Sequence, residues 1–215
     1  MARMISLEHV VQALALKDFD SVAALRLMAP VPRGWQRREF PPNEAAVMIL
    51  ILSADDGALH TVLTLRTAGL RGHSGQVSFP GGRRDPQDEN LTATALRETC
   101  EEIGVCGGKL SVLGQFPRFY IPASHHNVSP IIARYEGAPE FAPNPDEVAE
   151  VFSVRLEDLL QARFKCVERR RLRGVDVRVP YYYFAGHKVW GATAMLLSEL
   201  EGRLRQVLPQ AALQE

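Results

Sequence analysis

Gly81–Val105 reads GGRRDPQDENLTATALRETCEEIGV: two glycines, a polar loop, then thirteen residues without proline or glycine that run up to Gly104. The spacing predicts a helix over Leu91–Ile103, with Gly104 placed for the left-handed residue that closes one. At about 100° per residue, Glu98, Glu101 and Glu102 fall at roughly 0°, 300° and 40° around the axis and share a face. Ala95, Leu96, Thr99 and Ile103 occupy a separate arc, the stripe expected to pack on a core. On a solvated face the three acids would cost the helix only a few tenths of a kcal/mol. In a cleft with an effective dielectric near ~20, each pair ~6 Å apart would repel by about 3 kcal/mol. Such a cluster calls for a hard divalent cation or a shifted pKa. The cluster alone fits either setting.

The flanking residues separate the two. Glu89, Arg97-Glu98, Glu101-Glu102 and Gly104-Val105 resemble the Nudix box, written GX5EX7REUXEEXGU with U an aliphatic residue. Leu63-Thr64-Leu65-Arg66-Thr67-Ala68, Arg71, Gly75 and Phe79-Pro80-Gly81-Gly82 resemble the further signature of the coenzyme A pyrophosphatase branch. The chain departs from the box twice. Six residues rather than five separate Gly82 from Glu89, and Thr99 stands at an aliphatic position. The spacing leaves Asp88 as a substitute for Glu89.

The resemblance implies an α+β Nudix fold, a mixed β-sheet sandwiched between helices (α/β/α), with residues 1–42 as an N-terminal helical extension and 43–215 as the Nudix domain. It implies hydrolysis of coenzyme A or acyl-CoA to 4′-phosphopantetheine, free or acylated, and adenosine 3′,5′-bisphosphate. Glu98, Glu101 and Glu102 would hold Mg2+ or Mn2+, and Arg97 would tie the helix to the loop acid, Glu89. An ADP-ribose or other nucleoside diphosphate pyrophosphatase could use the same machinery. A non-catalytic nucleotide-binding module is the reading from another class.

Gly81 and Gly82 permit close backbone approach to the acids, and the Gly82 carbonyl is a further candidate ligand. Two acids compete for activating water: Glu101, and Glu147 in the loop Asn144-Pro145-Asp146-Glu147-Val148. Arg66 and Arg71 could grip substrate phosphates in bidentate fashion or pair locally on the surface. Arg169-Arg170-Arg171 with Arg173 is read as a solvated hairpin ahead of a dock for a 3′-phosphate. His125-His126 is read as loop, His73 has no evident partner, and Trp190 with Gly191 and Thr193 is expected to pack the last helix on a sheet.

Composition bounds the rest. The 215 residues are 46% hydrophobic, enough for a sizeable core, and Lys+Arg and Asp+Glu are both 25, so no basic field invites nucleic acid. Cys100, Cys106 and Cys166 lack CxxC spacing and are expected reduced, in a cytoplasmic protein. Glu8 and His9 interrupt any signal-like start, and Ala45–Leu52 is too short to span a bilayer. The substrate is expected to be a small molecule, with no membrane partner and with a homodimer left open. Further helices are expected over Ser6–Met28, Leu156–Ala162 and Ala192–Val207. Strands are expected over Ala45–Ser53, Leu59–Arg66, Leu110–Phe116, Val128–Tyr135, Val148–Val154 and Val177–Phe184.

Overall fold

The computed structural model describes residues 5–31, 40–69, 75–172 and 174–209, so Arg71, His73 and Arg173 lie outside the described residues. Two compact units are present: residues 35–153, and residues 1–34 together with 154–215.

In the first unit, β1 (Asn43–Ser53) turns at Asp55-Asp56-Gly57 into its antiparallel partner β2 (Leu59–Arg66). β3 (Val77–Ser78), β4 (Gly81–Arg83), β5 (Leu110–Gln115), β6 (Phe119–Ile121), β7 (His126–Tyr135) and β8 (Val148–Arg155) complete a mixed sheet ordered β3-β2-β1-β7-β5. β4 pairs with β1, β6 with β7 and β8 with β2. The β1–β7 pairing is parallel, from Asn43 opposite His126 to Ile51 opposite Arg134, and the other registered pairs are antiparallel. Period-2 alternation sends Ala46, Met48, Leu50 and Leu52 of β1 to one face. There they are buried with Leu91, Ala95 and Ile103 of the helix α3 (Leu91–Ile103).

Both ends of α3 are closed. The Asn90 side chain accepts from the Ala93 N–H, and Gly104 (φ +73°) returns its N–H to the Cys100 carbonyl. A Cβ on Gly104 would lie 2.7 Å from that of Ala142, so the close approach as well as the backbone conformation demands glycine. This reversal also corrects the expectation of three reduced cysteines. It brings Cys100 and Cys106 to a Cα separation of 4.7 Å, joined as a disulfide, while Cys166 is free. The argument from cysteine usage to a reducing compartment lapses with it.

The loop before α3 is anchored by Asp88, not by the expected Glu89. The Arg97 guanidinium donates from Nε to Asp88 Oδ1 and from Nη2 to Asp88 Oδ2, both at 3.0 Å. Asp88 Oδ2 also accepts from the Asp85 N–H (2.8 Å) and the Thr94 hydroxyl (2.9 Å), whereas Glu89 is exposed. A tight turn, Asp88 N–H to Asp85 carbonyl, points the first acid inward and the next one out.

In the second unit, α1 (Leu7–Leu14), capped by Ser6, and α2 (Ser21–Leu27), capped by Asp20, pack on α5 (Gly191–Val207). α4 (Leu156–Leu159), a 3-10 turn at Ala162–Phe164 and a sheet of β9 (Lys165–Leu172), β10 (Val175–Phe184) and β11 (His187–Trp190) complete it. The arginine run lies in the β9–β10 hairpin, where Arg170 pairs with Glu168 and stacks over Trp190 at 4.9 Å from the ring centre.

Hydrogen bonding to Arg97 holds the Asp88 carboxyl far below the usual carboxylate range, overriding the opposing effect of burial. A depressed carboxylate stabilises the fold fully above its unfolded value near ~3.9 and loses that contribution as pH falls towards its folded one. Asp88→Asn should therefore cost about 1–3 kcal/mol at pH 7, measured by urea unfolding. The gap to wild type should hold from pH 8 to about 5 and close below about pH 4. A gap that persists undiminished at low pH would show that Asp88 acts by packing alone.

Candidate active site

Three segments of the sheet unit meet at the C-terminal half of α3. The chain after Gly104 returns to clasp the helix end: Ala142 N–H bonds the Ile103 carbonyl (3.0 Å) and Asn144 N–H the Glu102 carbonyl (2.9 Å). The same loop is tied to the end of β2, with Thr67 N–H on the Glu147 carbonyl (2.9 Å) and the Thr67 hydroxyl on the Asp146 carbonyl (3.1 Å). Glu147 is thereby fixed beside Arg66, the last residue of β2. β4, expected only as loop, brings the glycine pair in as a strand, Gly81 opposite Val47 and Gly82 opposite Ala46.

These segments gather the acids unequally. Glu102 is 2% exposed; its Oε1 accepts from Arg66 Nη1 at 3.2 Å and its Oε2 from the Gly81 N–H at 3.2 Å. The Glu98 side chain is 16% exposed and takes Arg97 Nη1 at 2.9 Å; the Glu101 side chain, 55% exposed, takes the same nitrogen at 2.9 Å. Arg97 Nη2 also reaches the Arg83 carbonyl at 3.0 Å. Side-chain packing explains the missing Cβ at Gly82. Built there, it would stand 2.5 Å from all three carboxyl atoms of Glu98. Gly81 (φ +150°) leaves no more room, since its Cβ would meet the Ala46 carbonyl oxygen at 2.3 Å.

Burial raises the Glu102 carboxyl to about 7, with the charges of Glu98 and Glu147 adding to it and the Gly81 N–H and Arg66 opposing it. Burial likewise raises Glu98; Arg97 resists, and the charges of Glu101 and Glu147 reinforce the rise. Glu98, Glu102 and Glu147 thus feel one another, and two arginines supply the balancing charge. Among the described residues no three His, Cys, Asp or Glu side chains form a closed metal cage. The donor chemistry nevertheless suits magnesium or manganese. The ligands are carboxylate oxygens, and magnesium commonly takes only one or two of them, completing its shell with water and substrate phosphate. A carboxyl that burial has pushed towards neutrality is one that a cation would return to the charged form.

Among the expected site residues, Glu98, Glu102, Glu147, Arg66, Arg97, Gly81 and Gly82 come together, and Glu101 lies at the exposed rim. Glu89 does not join them, and its expected role of anchoring Arg97 falls to Asp88. Arg66, expected on phosphate or in a local surface pair, holds the buried Glu102 across 36 residues of sequence. The histidine pair divides: His125 (φ +58°) is buried between the Tyr120 hydroxyl (2.7 Å) and the Pro41 carbonyl (3.1 Å), and His126 opens β7. An open cleft of about 520 Å3, bordered by Asn43, Glu44, Arg83, Arg84, Asp85 and Pro86, adjoins β4.

Residues 42–173 match the model of the NUDIX domain. An uncharacterized Nudix hydrolase, NudL, of Photorhabdus laumondii is 36% identical over 188 residues, spanning 87% of this chain and 96% of the relative. Its namesake in Yersinia pestis is 35% identical over 74% of this chain and 78% of the relative. A MutT/nudix family protein from Enterococcus faecalis, 16% identical, superposes with a TM-score of 0.52 over 95% of this chain and 80% of the other, which shows a shared fold. No helix among the described residues is long and apolar enough to cross a membrane. With its box glutamates backed onto a mixed sheet, this chain belongs to the Nudix hydrolases, enzymes that act on the diphosphate bonds of nucleoside diphosphate derivatives and generally use divalent metal ions.

Proposed function

We propose that the protein hydrolyses the diphosphate bond of coenzyme A or an acyl-CoA, releasing (acyl-)4′-phosphopantetheine and adenosine 3′,5′-bisphosphate. The observation that carries this reading is that the Leu63–Gly82 signature is built into the acid cluster. Arg66 bonds Glu102, Thr67 holds the Glu147 loop, and Gly81 donates to Glu102. Residues that resemble a substrate-branch signature therefore shape the reacting centre.

Glu98 and Glu102, with Glu101 at the rim and the Gly82 carbonyl as a further oxygen donor, would hold magnesium or manganese, which offsets diphosphate charge and acidifies water. Glu147 takes the proton as water attacks one phosphorus. The new P–O bond forms, the bridging P–O bond breaks, and the leaving phosphate departs as the monoester. Glu101 is the competing base, and its exposure favours Glu147. Arg66 is positioned to turn from Glu102 onto a phosphate oxygen. Arg97, held by Asp88, keeps Glu98 directed at the glycine edge.

Three measurements test this reading. With magnesium or manganese, coenzyme A or its acyl derivatives should be turned over and a chelator should abolish the reaction. ADP-ribose turned over well above coenzyme A would favour the alternative pyrophosphatase, and binding without any turnover would favour a binding module. Glu147→Gln should lower kcat at least ~100-fold; near-normal turnover at saturating metal would remove Glu147 from the mechanism. Gly82→Ala should displace the Glu98 carboxylate and cut kcat by roughly ten- to a hundredfold, while stability falls by less than about 1 kcal/mol. Unimpaired turnover in that variant would contradict the close approach as a catalytic requirement.

A further inference from the structure

Two of the box acids lie inside a covalent ring. The disulfide joins Cys100, in the last turn of α3, to Cys106, just beyond Gly104, and the segment it closes is Glu101-Glu102-Ile103-Gly104-Val105. Diphosphate hydrolysis makes no use of this bond. Next but one after Glu98, Cys100 stands about 200° round the helix, on the side away from Glu98 and Glu102. Cys106 is exposed and Cys100 half-buried, so the bond is open to a small thiol that need not enter the acid cluster. Exposed disulfides are the readily exchanged ones.

The neighbouring loop hangs from the same ring. Inside it, the Glu102 carbonyl accepts from the Asn144 N–H (2.9 Å) and the Ile103 carbonyl from the Ala142 N–H (3.0 Å). The Asn144 carbonyl in turn accepts from the N–H groups of Glu147 (3.1 Å) and Val148 (2.8 Å). A displacement of the ring therefore moves Glu102 directly and reaches Glu147 through two backbone hydrogen bonds. Ile103 and Val105 are buried with Leu91 and Ala95, so the fold stands without the cross-link, which a chain of this length does not need. What opening the bond frees is the exposed side of the turn, at Glu101, Gly104 and Cys106. Helix ends are where local opening costs least.

We propose that the Cys100–Cys106 bond is a redox switch on the acid cluster: closed, it holds Glu102 and the Glu147 loop in place, and opened, it loosens both. The reductant is a small dithiol. One of its thiolates attacks Cys106 Sγ, the S–S bond breaks, and Cys100 leaves as a thiolate that takes up a proton. The second thiolate of the reductant then attacks its own sulfur in the mixed disulfide and releases Cys106, which is protonated in turn. Two electrons have passed to the protein and the reductant departs as a cyclic disulfide; an oxidised dithiol reverses the exchange. The inference rests on the reading of Glu98, Glu102 and Glu147 as the reacting centre.

The test is amide hydrogen exchange read by mass spectrometry on the full chain, oxidised and reduced, without metal or substrate. Peptides over 101–106 and 141–148 should exchange at least about tenfold faster once reduced, and reoxidation should restore their protection. Turnover with magnesium is followed on an acyl-CoA, whose thioester leaves no free thiol to open the bond, and should fall at least about threefold on reduction. Cys106→Ser, at an exposed position, should match the reduced chain under either condition, while Cys166→Ser should switch as wild type does. Thiols at Cys100 and Cys106 that stay free under an oxidised dithiol overturn the inference. So do exchange unaltered by reduction, measurable but equal turnover in the two states, or a response that survives Cys106→Ser. If neither state hydrolyses an acyl-CoA while the exchange responds, the reaction fails and the switch stands.

Discussion

One guanidinium organises the catalytic edge of this molecule. Arg97 meets Asp88 with two parallel bonds, the Arg83 carbonyl with a third, and Glu98 and Glu101 through its remaining nitrogen. A planar fork with five fixed donors can satisfy a carboxylate, a strand carbonyl and two helix acids at once; a lysine could not. Its position four residues before Glu101 would suggest an ordinary exposed helix pair, worth a few tenths of a kcal/mol. The tertiary partners give it a different weight. Asp88 is buried and Arg97 only partly exposed, so removing either leaves a charge with little water to receive it. Helix, loop and β4 are thus held in one frame before any ligand arrives.

That frame solves a charge problem only in part. Glu98, Glu102 and Glu147 are drawn within electrostatic reach, and at an effective dielectric near ~20 each pair about 6 Å apart would repel by about 3 kcal/mol. Arg66 and Arg97 offset some of this, while burial raises the Glu102 carboxyl to about 7. The molecule accepts acids that are costly in isolation, as the proposed binding of a cation and a diphosphate would require. A surface acid cluster would have needed no such compensation, so the solvated-face reading of the helix fails at Glu98 and Glu102, whose side chains are largely screened from water. It keeps Glu101.

The same residues show where sequence was readable. Leu91–Ile103 follows from helical period and a terminal glycine, signals that are local and redundant. β2 was equally plain as a run of apolar and β-branched residues behind a turn. β4 was not, because a three-residue strand containing two glycines has no period to display; only pairing with Ala45–Val47 defines it. Asp88 and Glu89 are adjacent acids, and the choice between them depends on which way one turn points. Spacing counts residues and carries no direction, so the box alignment favoured the wrong neighbour. Cys100 and Cys106 were missed because their meeting depends on the left-handed Gly104 and on no pairing motif. Arg66 was legible as a site residue, while its bond to Glu102 depends on how β2 and α3 lie across the sheet.

Glycine at position 82 carries a consequence beyond space for Glu98. Strand alternation means that whatever approaches the acids at Gly82 has Arg83 on the reverse side of the same edge, and the backbone carbonyl of Arg83 is pinned by the guanidinium that holds the acids. A change on one side is therefore transmitted through very few atoms to the other. With Asp88 as the acid that meets Arg97, five residues separate it from Gly82 as in the box, and the extra residue falls between Asp88 and Arg97. That residue is absorbed ahead of α3, where Glu89 is exposed and Asn90 caps the helix, so Asp88 keeps its place against Arg97.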